Sequence, residues 1–157
     1  MIKHIWSVVC QGSIEDKSTN LLSIINILEE LTIEGDPSSD KILPLPIQVV
    51  TLWTRTNSDI PAQAESRYTF VSPSKTVLKE QPLKINLSKY QRLRARVNFS
   101  MLNFTEGSGI YTFCVEYRGN QTEEWTEKAS IPIDVNFHTV DKKNTVTKAK
   151  KVKIVKA

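Results

Sequence analysis

Cysteine, histidine and glycine are scarce in this chain, and each scarcity removes a class of chemistry. Two cysteines, Cys10 and Cys114, occur among 157 residues. They are too far apart for the close spacing of a zinc or dithiol motif and read as free thiols in a reducing compartment. The two histidines, His4 and His138, stand in no catalytic pattern. The five glycines build no phosphate-cradling loop, and no P-loop, dinucleotide fingerprint or HExxH occurs. No apolar run approaches the roughly 20 residues that a membrane-spanning helix needs. The opening M-I-K-H-I-W-S-V-V-C lacks the long apolar region and small-residue cleavage site of a signal peptide, and reads as a first strand. The expectation is a cytoplasmic protein that is not an enzyme and carries no cofactor or metal.

What is present is an ordinary globular composition, 39% hydrophobic and 24% charged. Charge is unevenly placed. Residues 141–157 hold seven lysines and one acid, whereas residues 1–140 carry 14 basic and 16 acidic groups. This divides the chain into a nearly neutral domain, 1–140, and a Lys-rich C-terminal tail, 141–157.

Period-two patterning dominates the domain. In Gly109–Tyr117, Tyr111, Phe113, Val115 and Tyr117 alternate with Thr112, Cys114 and Glu116, the mark of a strand with one aromatic face in the core. Residues 90–99 alternate as strictly, with Leu93, Ala95, Val97 and Phe99 on one side and Arg92, Arg94, Arg96 and Asn98 on the other. Further strands are expected near Lys3–Cys10, 47–56 and Ser66–Val71, with edge strands at Pro82–Leu87 and Ser130–Val135, where proline costs no ladder bond. The run 21–33 fits a long, bulged strand better than a helix, because Ile and Thr are frequent in it and no capping box precedes it. Seven to eight short strands with turn signals about every ten residues imply an all-β fold, an immunoglobulin-like or C2-like two-sheet antiparallel sandwich. Tyr111 stands where such sandwiches place a corner tyrosine that bonds back to the backbone; a plain core tyrosine is the other reading.

The turn Asp16-x-x-Thr19-Asn20, the run Leu22-Ser23-Ile24-Ile25 and the late Gly109-Ile110-Tyr111 resemble a family of small uncharacterised bacterial β-sandwich proteins. Their N-terminal hairpin has an Asp-x-x-Thr turn before a Leu-Ser-Leu-Ile run. Members usually carry glycine at the turn and within the second strand, where this chain has Asn20 and Asn26. The resemblance spans residues 1 to about 137 and implies fold alone, since that family has no established activity.

Candidate sites are few. The adjacent acids Glu29-Glu30 and Glu123-Glu124 would point to opposite faces of a strand and read as solvated. The loop acids Asp16, Asp36, Asp40 and Asp59 lack the dense spacing of a calcium loop. Two basic features remain. Arg92, Arg94 and Arg96, about 6.8 Å apart along one face, could engage phosphates or an acidic peptide, or could be paired with Glu116 and other acids on neighbouring strands. Pairing is the preferred reading. In the tail, Lys148, Lys150, Lys151, Lys153 and Lys156 could bind nucleic acid or an anionic surface without sequence preference, could be merely solvated, or could add a strand to a partner's sheet. The leading expectation is a non-catalytic binding or adaptor module with a protein partner; homo-oligomers are compatible with it. The alternative is a nucleic-acid or anionic-surface binder acting through the tail and the arginine row.

Overall fold

A computed structural model describes residues 1–37, 45–57 and 62–138; the Lys-rich segment, with its five candidate lysines, lies outside them. Nine strands and no helix occur among the described residues, so none of them forms a helix able to cross a membrane. The strands are β1 (Ile2–Asp16), β2 (Leu21–Ile27), β3 (Glu30–Glu34), β4 (Ile47–Arg55), β5 (Gln63–Val71), β6 (Val77–Asn86), β7 (Arg92–Phe99), β8 (Gly109–Arg118) and β9 (Thr126–His138). They form two sheets, a four-stranded one in the order β2-β1-β4-β7 and a five-stranded one in the order β3-β9-β8-β5-β6.

The inner faces share one core. From the four-stranded sheet come Val49, Trp53 and Phe99, and from the five-stranded sheet Tyr68, Phe70 and Phe113, all essentially without exposure. Phe99 meets Phe113 edge-on with ring centroids 5.2 Å apart, and the Trp53 indole N–H donates to the Tyr68 hydroxyl across the sheets at 3.2 Å. That bond satisfies two polar tips that would otherwise be buried unpaired. Tyr111 stacks on Phe70 and donates its hydroxyl to the carbonyl of Gly107, four residues upstream, at 3.1 Å. The corner hydrogen bond is thus present. At its far side the Gly109 backbone lies so close to Pro73 that a Cβ would approach it to 2.8 Å, which leaves room for glycine alone.

Four expectations need correction. Nine strands rather than seven or eight occur among the described residues, because 21–33 is extended but not continuous: it breaks after Ile27, and the two halves join different sheets. Leu28 marks the crossing, buried, with its N–H donating to the Val9 carbonyl. The sheets are not purely antiparallel, since β3 pairs with β9 in parallel. And β9 is no edge strand. Pro132 is tolerated because β3 pairs only with Asp134 onwards, so the missing N–H falls where β9 has no neighbour on that side among the described strands. Lastly, β7 and β8 are consecutive yet lie in different sheets, so Glu116 is not beside the arginine row.

The two positions at which glycine was expected explain themselves. Asn20 and Asn26 both have positive φ, 57° and 51°. Asparagine is the residue other than glycine that most readily adopts this conformation.

Candidate functional site

The arginine row occupies the outer face of the four-stranded sheet, and the chain's own N-terminal hairpin covers it. Arg94 lies opposite Leu52 on β4, which lies opposite Trp6 on β1. Glu15 is nine residues beyond Trp6, so a straight strand would place it about 30 Å from that level. Instead the Arg94 guanidinium donates to the Glu15 carboxylate at 2.7 Å, and to the Asn20 carbonyl at 2.8 Å. Ser13 likewise donates to the Gln48 side chain, although it is Cys10 that stands opposite Gln48. The distal half of β1 and its partner β2 therefore curl back over the outer face. This explains why Val50, on that outer face, is fully buried. Arg96 approaches the same carboxylate at 3.7 Å, and Arg92 is exposed at the rim. The row was expected to be paired, and two of its three members are, but to Glu15 rather than Glu116.

On the opposite side of the molecule, the outer face of the five-stranded sheet is open. Strand alternation places Glu65 and Arg67 of β5 beside Arg118 and Glu116 of β8, in crossed register. Arg67 holds Glu116 through two bonds, 2.5 and 3.0 Å, with Glu80 of β6 at 3.7 Å on its other flank. Arg118 holds Glu65 at 2.5 Å. Hydrogen bonding from Arg118 keeps the Glu65 carboxyl below its ordinary range, and bonding to Glu116 raises Arg67 further. Planar guanidinium–carboxylate pairs of this kind fix orientation as much as they add energy.

Both guanidiniums also lie over the ring of Trp125, at 4.7 Å for Arg67 and 4.4 Å for Arg118. Trp125 comes from the β8–β9 loop, which is stiffened by its own bonds: the Asn120 side chain accepts from Thr122, and Glu123 accepts from the Gly119 N–H and the Asn120 amide. A half-buried indole thus contacts two cations, each oriented by a carboxylate. Beside it is an open depression of about 210 Å³, lined by Arg67, Glu80, Glu116, Glu127, Thr69 and Cys114, with Val71 and Val77 at one wall. Burial pushes the Cys114 thiol up, which makes it a poor nucleophile; Cys10 is raised for the same reason. Both are free thiols.

Sequence reasoning placed Trp125 in a polar loop but gave no sign that Arg67 and Arg118 meet it. The sole signal is that the two arginines fall at outward positions of their strands, which becomes visible once the sheet order is known. Of the loop acids, Asp16 accepts from the backbone and hydroxyl of Ser18, which holds its carboxyl down at about 2; this caps the hairpin turn. Asp40 and Asp59 lie outside the described residues.

No family model matches the chain and no curated protein matches it, in accord with resemblance to a group without established activity. Among solved structures, the chain is similar to the C-terminal domain of Wzt, with 13% identity over 94% of this chain and 84% of that one, at a TM-score of 0.49. It is also similar to part of a family 123 glycoside hydrolase from Clostridium perfringens, with 10% identity over 87% of this chain and 27% of that one, at a TM-score of 0.35. At these values neither likeness speaks to ligand or activity.

Proposed function

We propose that the chain is a non-catalytic binding module that holds a protein partner on the outer face of its five-stranded sheet. The observation that carries this is Trp125 with its two guanidinium contacts. Tryptophan and arginine dominate the energetic centres of protein interfaces, where rigid, partly desolvated anchors lose little freedom on association. Arg67 and Arg118 are already oriented by Glu116 and Glu65, so the platform is preorganised before any partner arrives. The depression beside it has three carboxylates, Glu80, Glu116 and Glu127, against one guanidinium, Arg67. That excess fits a lysine or arginine side chain presented by the partner. The proposal also takes the two-sheet fold as immunoglobulin-like, supported by the Tyr111 corner bond on the penultimate strand; the parallel β3–β9 pair is its departure from the all-antiparallel form expected.

The test is affinity capture from the source organism with the native chain, Trp125→Ala and Glu80→Lys/Glu127→Lys. A partner captured by the native chain should be lost by at least tenfold in both variants while their thermal midpoints show them folded. Equal capture by all three would overturn the proposal. The second reading, an anion binder through Lys148, Lys150, Lys151, Lys153, Lys156 and the arginine row, has less in its favour because Arg94 and Arg96 share the Glu15 carboxylate. Its test is a gel shift over a salt series, with and without residues 141–157; undiminished binding after truncation removes it.

A further inference from the structure

Sheet edges expose unpaired N–H and C=O groups, and proteins usually guard them with charge, proline or cover. Three of the four edges among the described strands are guarded. β7 carries Arg92, Arg94 and Arg96, β6 carries Lys79, Glu80, Pro82 and Lys84, and β3 is bounded by Glu30 and Glu34. The fourth, β2, reads Leu-Leu-Ser-Ile-Ile-Asn-Ile, with no charge and no proline. Its only pairing among the described residues is with β1, so no described strand covers the other side of its backbone. Its outward face is apolar as well. Leu21 and Ile25 are 66% and 40% exposed, and Ile14, opposite Ser23 on β1, is 61% exposed.

We infer that this edge pairs with the β2 edge of a second copy, antiparallel about a two-fold axis at Ser23. Two features favour a second copy as the occupant. Asn26, with φ at 51°, leaves strand geometry and ends the regular edge, while the turn at Lys17–Asn20 limits the other end. What remains is the five residues Leu21–Ile25, whose midpoint is Ser23. Antiparallel self-pairing of that window sets Leu21 against Ile25 of the second copy, Ile25 against its Leu21, and Ser23 against its own equivalent. The outward faces then form one apolar strip of four side chains, bordered by Ile14 from each copy. Electrostatics agree: a strand with no charge meets itself without like-charge opposition, which the arginine-bearing β7 edge or the Glu-bounded β3 edge would incur. The contact is isologous and closes at two copies, so it yields a dimer and not a fibre.

Sedimentation velocity of the full chain over a concentration series should show a species of twice the 17.8 kDa chain mass growing with concentration. Leu21→Lys/Ile25→Lys and Leu21→Glu/Ile25→Glu change exposed side chains only, and circular dichroism checks that both variants fold. Each alone should dimerise at least tenfold more weakly, because like charges then face each other, and an equimolar mixture should recover a heterodimer. Ser23→Cys should cross-link into a disulfide dimer under mild oxidation far faster than Ser88→Cys, which sits on an exposed loop. A native chain that stays monomeric, whether its own C-terminal residues or another protein occupies the edge, overturns the inference. So does a lysine variant that dimerises like the native chain, or a mixture that gives no heterodimer.

Discussion

The outer faces of the two sheets are both armed with arginine, and the molecule treats them in opposite ways. On the four-stranded sheet, Arg94 and Arg96 lie beneath a hairpin that supplies its own counter-charge, Glu15. On the five-stranded sheet, Arg67 and Arg118 are paired within the sheet and both lie against Trp125 on an open surface. The difference shows that an outward row of cations in a sequence does not by itself mark a surface for anions. What decides is where the compensating carboxylate comes from. When a remote segment brings it, the face is partly covered; when the adjacent strand brings it, the face stays available and gains rigidity.

The largest effect should come from breaking the cover. Val50 is on the outer face yet fully buried and stands opposite Arg96, so Val50→Lys places a further cation, with no carboxylate of its own, under the hairpin and should cost about 3–5 kcal/mol by urea unfolding. The matched change on the open face, Ser130→Lys, should stay within about 0.5 kcal/mol. A small loss at Val50 would mean that the hairpin does not close over the sheet. Next is Trp125→Ala, which removes two cation–π contacts and should cost about 1–2 kcal/mol. No change in midpoint would show that these contacts are not populated in solution. Glu15→Gln should cost less than about 1 kcal/mol, since the Glu15, Arg94 and Arg96 side chains are all partly exposed and Arg94 keeps its bonds to Asn20. Its mark is salt: the gap between native and variant should narrow as ionic strength rises.

The smallest effect concerns the seam between the sheets. His4 of β1 packs edge-on against Trp53 and bonds to Ser7, while burial and then the charge of Lys128 on β9 lower its pKa from the ordinary 6.5. The unfolded imidazole then takes up a proton that the folded one resists. Stability should therefore fall as pH drops through 6.5 toward the lower folded value, and that slope should vanish in His4→Gln. A slope that survives the substitution would assign the titration elsewhere.

Much of the fold could be read from residue order, because strand alternation is local. The aromatic face of β8, the alternation of β7 and the β-branched run of β4 each announce themselves within ten residues. Asn20 and Asn26 also stood out, since they replace expected glycines at positions where the backbone turns left-handed. What stayed hidden depends on pairings far apart in the chain. Glu15 and Arg94 are joined by a hairpin whose curl no short-range pattern encodes, and Trp125 meets Arg67 and Arg118 only because β5 and β8 are neighbours. The misreading of β9 had the same root. By itself Pro132 marks a whole strand as an edge, but the partner strand covers only part of its length. The split of 21–33 was illegible because Leu28 looks like the continuation of an apolar run.

The parallel pairing of β3 with β9 imposes an order of events during synthesis. Every strand of the four-stranded sheet has been made by Phe99, and its hairpin β1–β2 much earlier. β3, by contrast, waits for residues 134–138, about 100 residues later. At 5–20 residues per second that is roughly 5–20 seconds during which Leu31 and Ile33, fully or nearly buried in the finished protein, have no sheet to join. The two glutamates that bound β3, Glu30 and Glu34, keep this waiting strand charged at both ends. Charge flanking an apolar run is the pattern by which sequences hold back aggregation of a strand that has no partner yet.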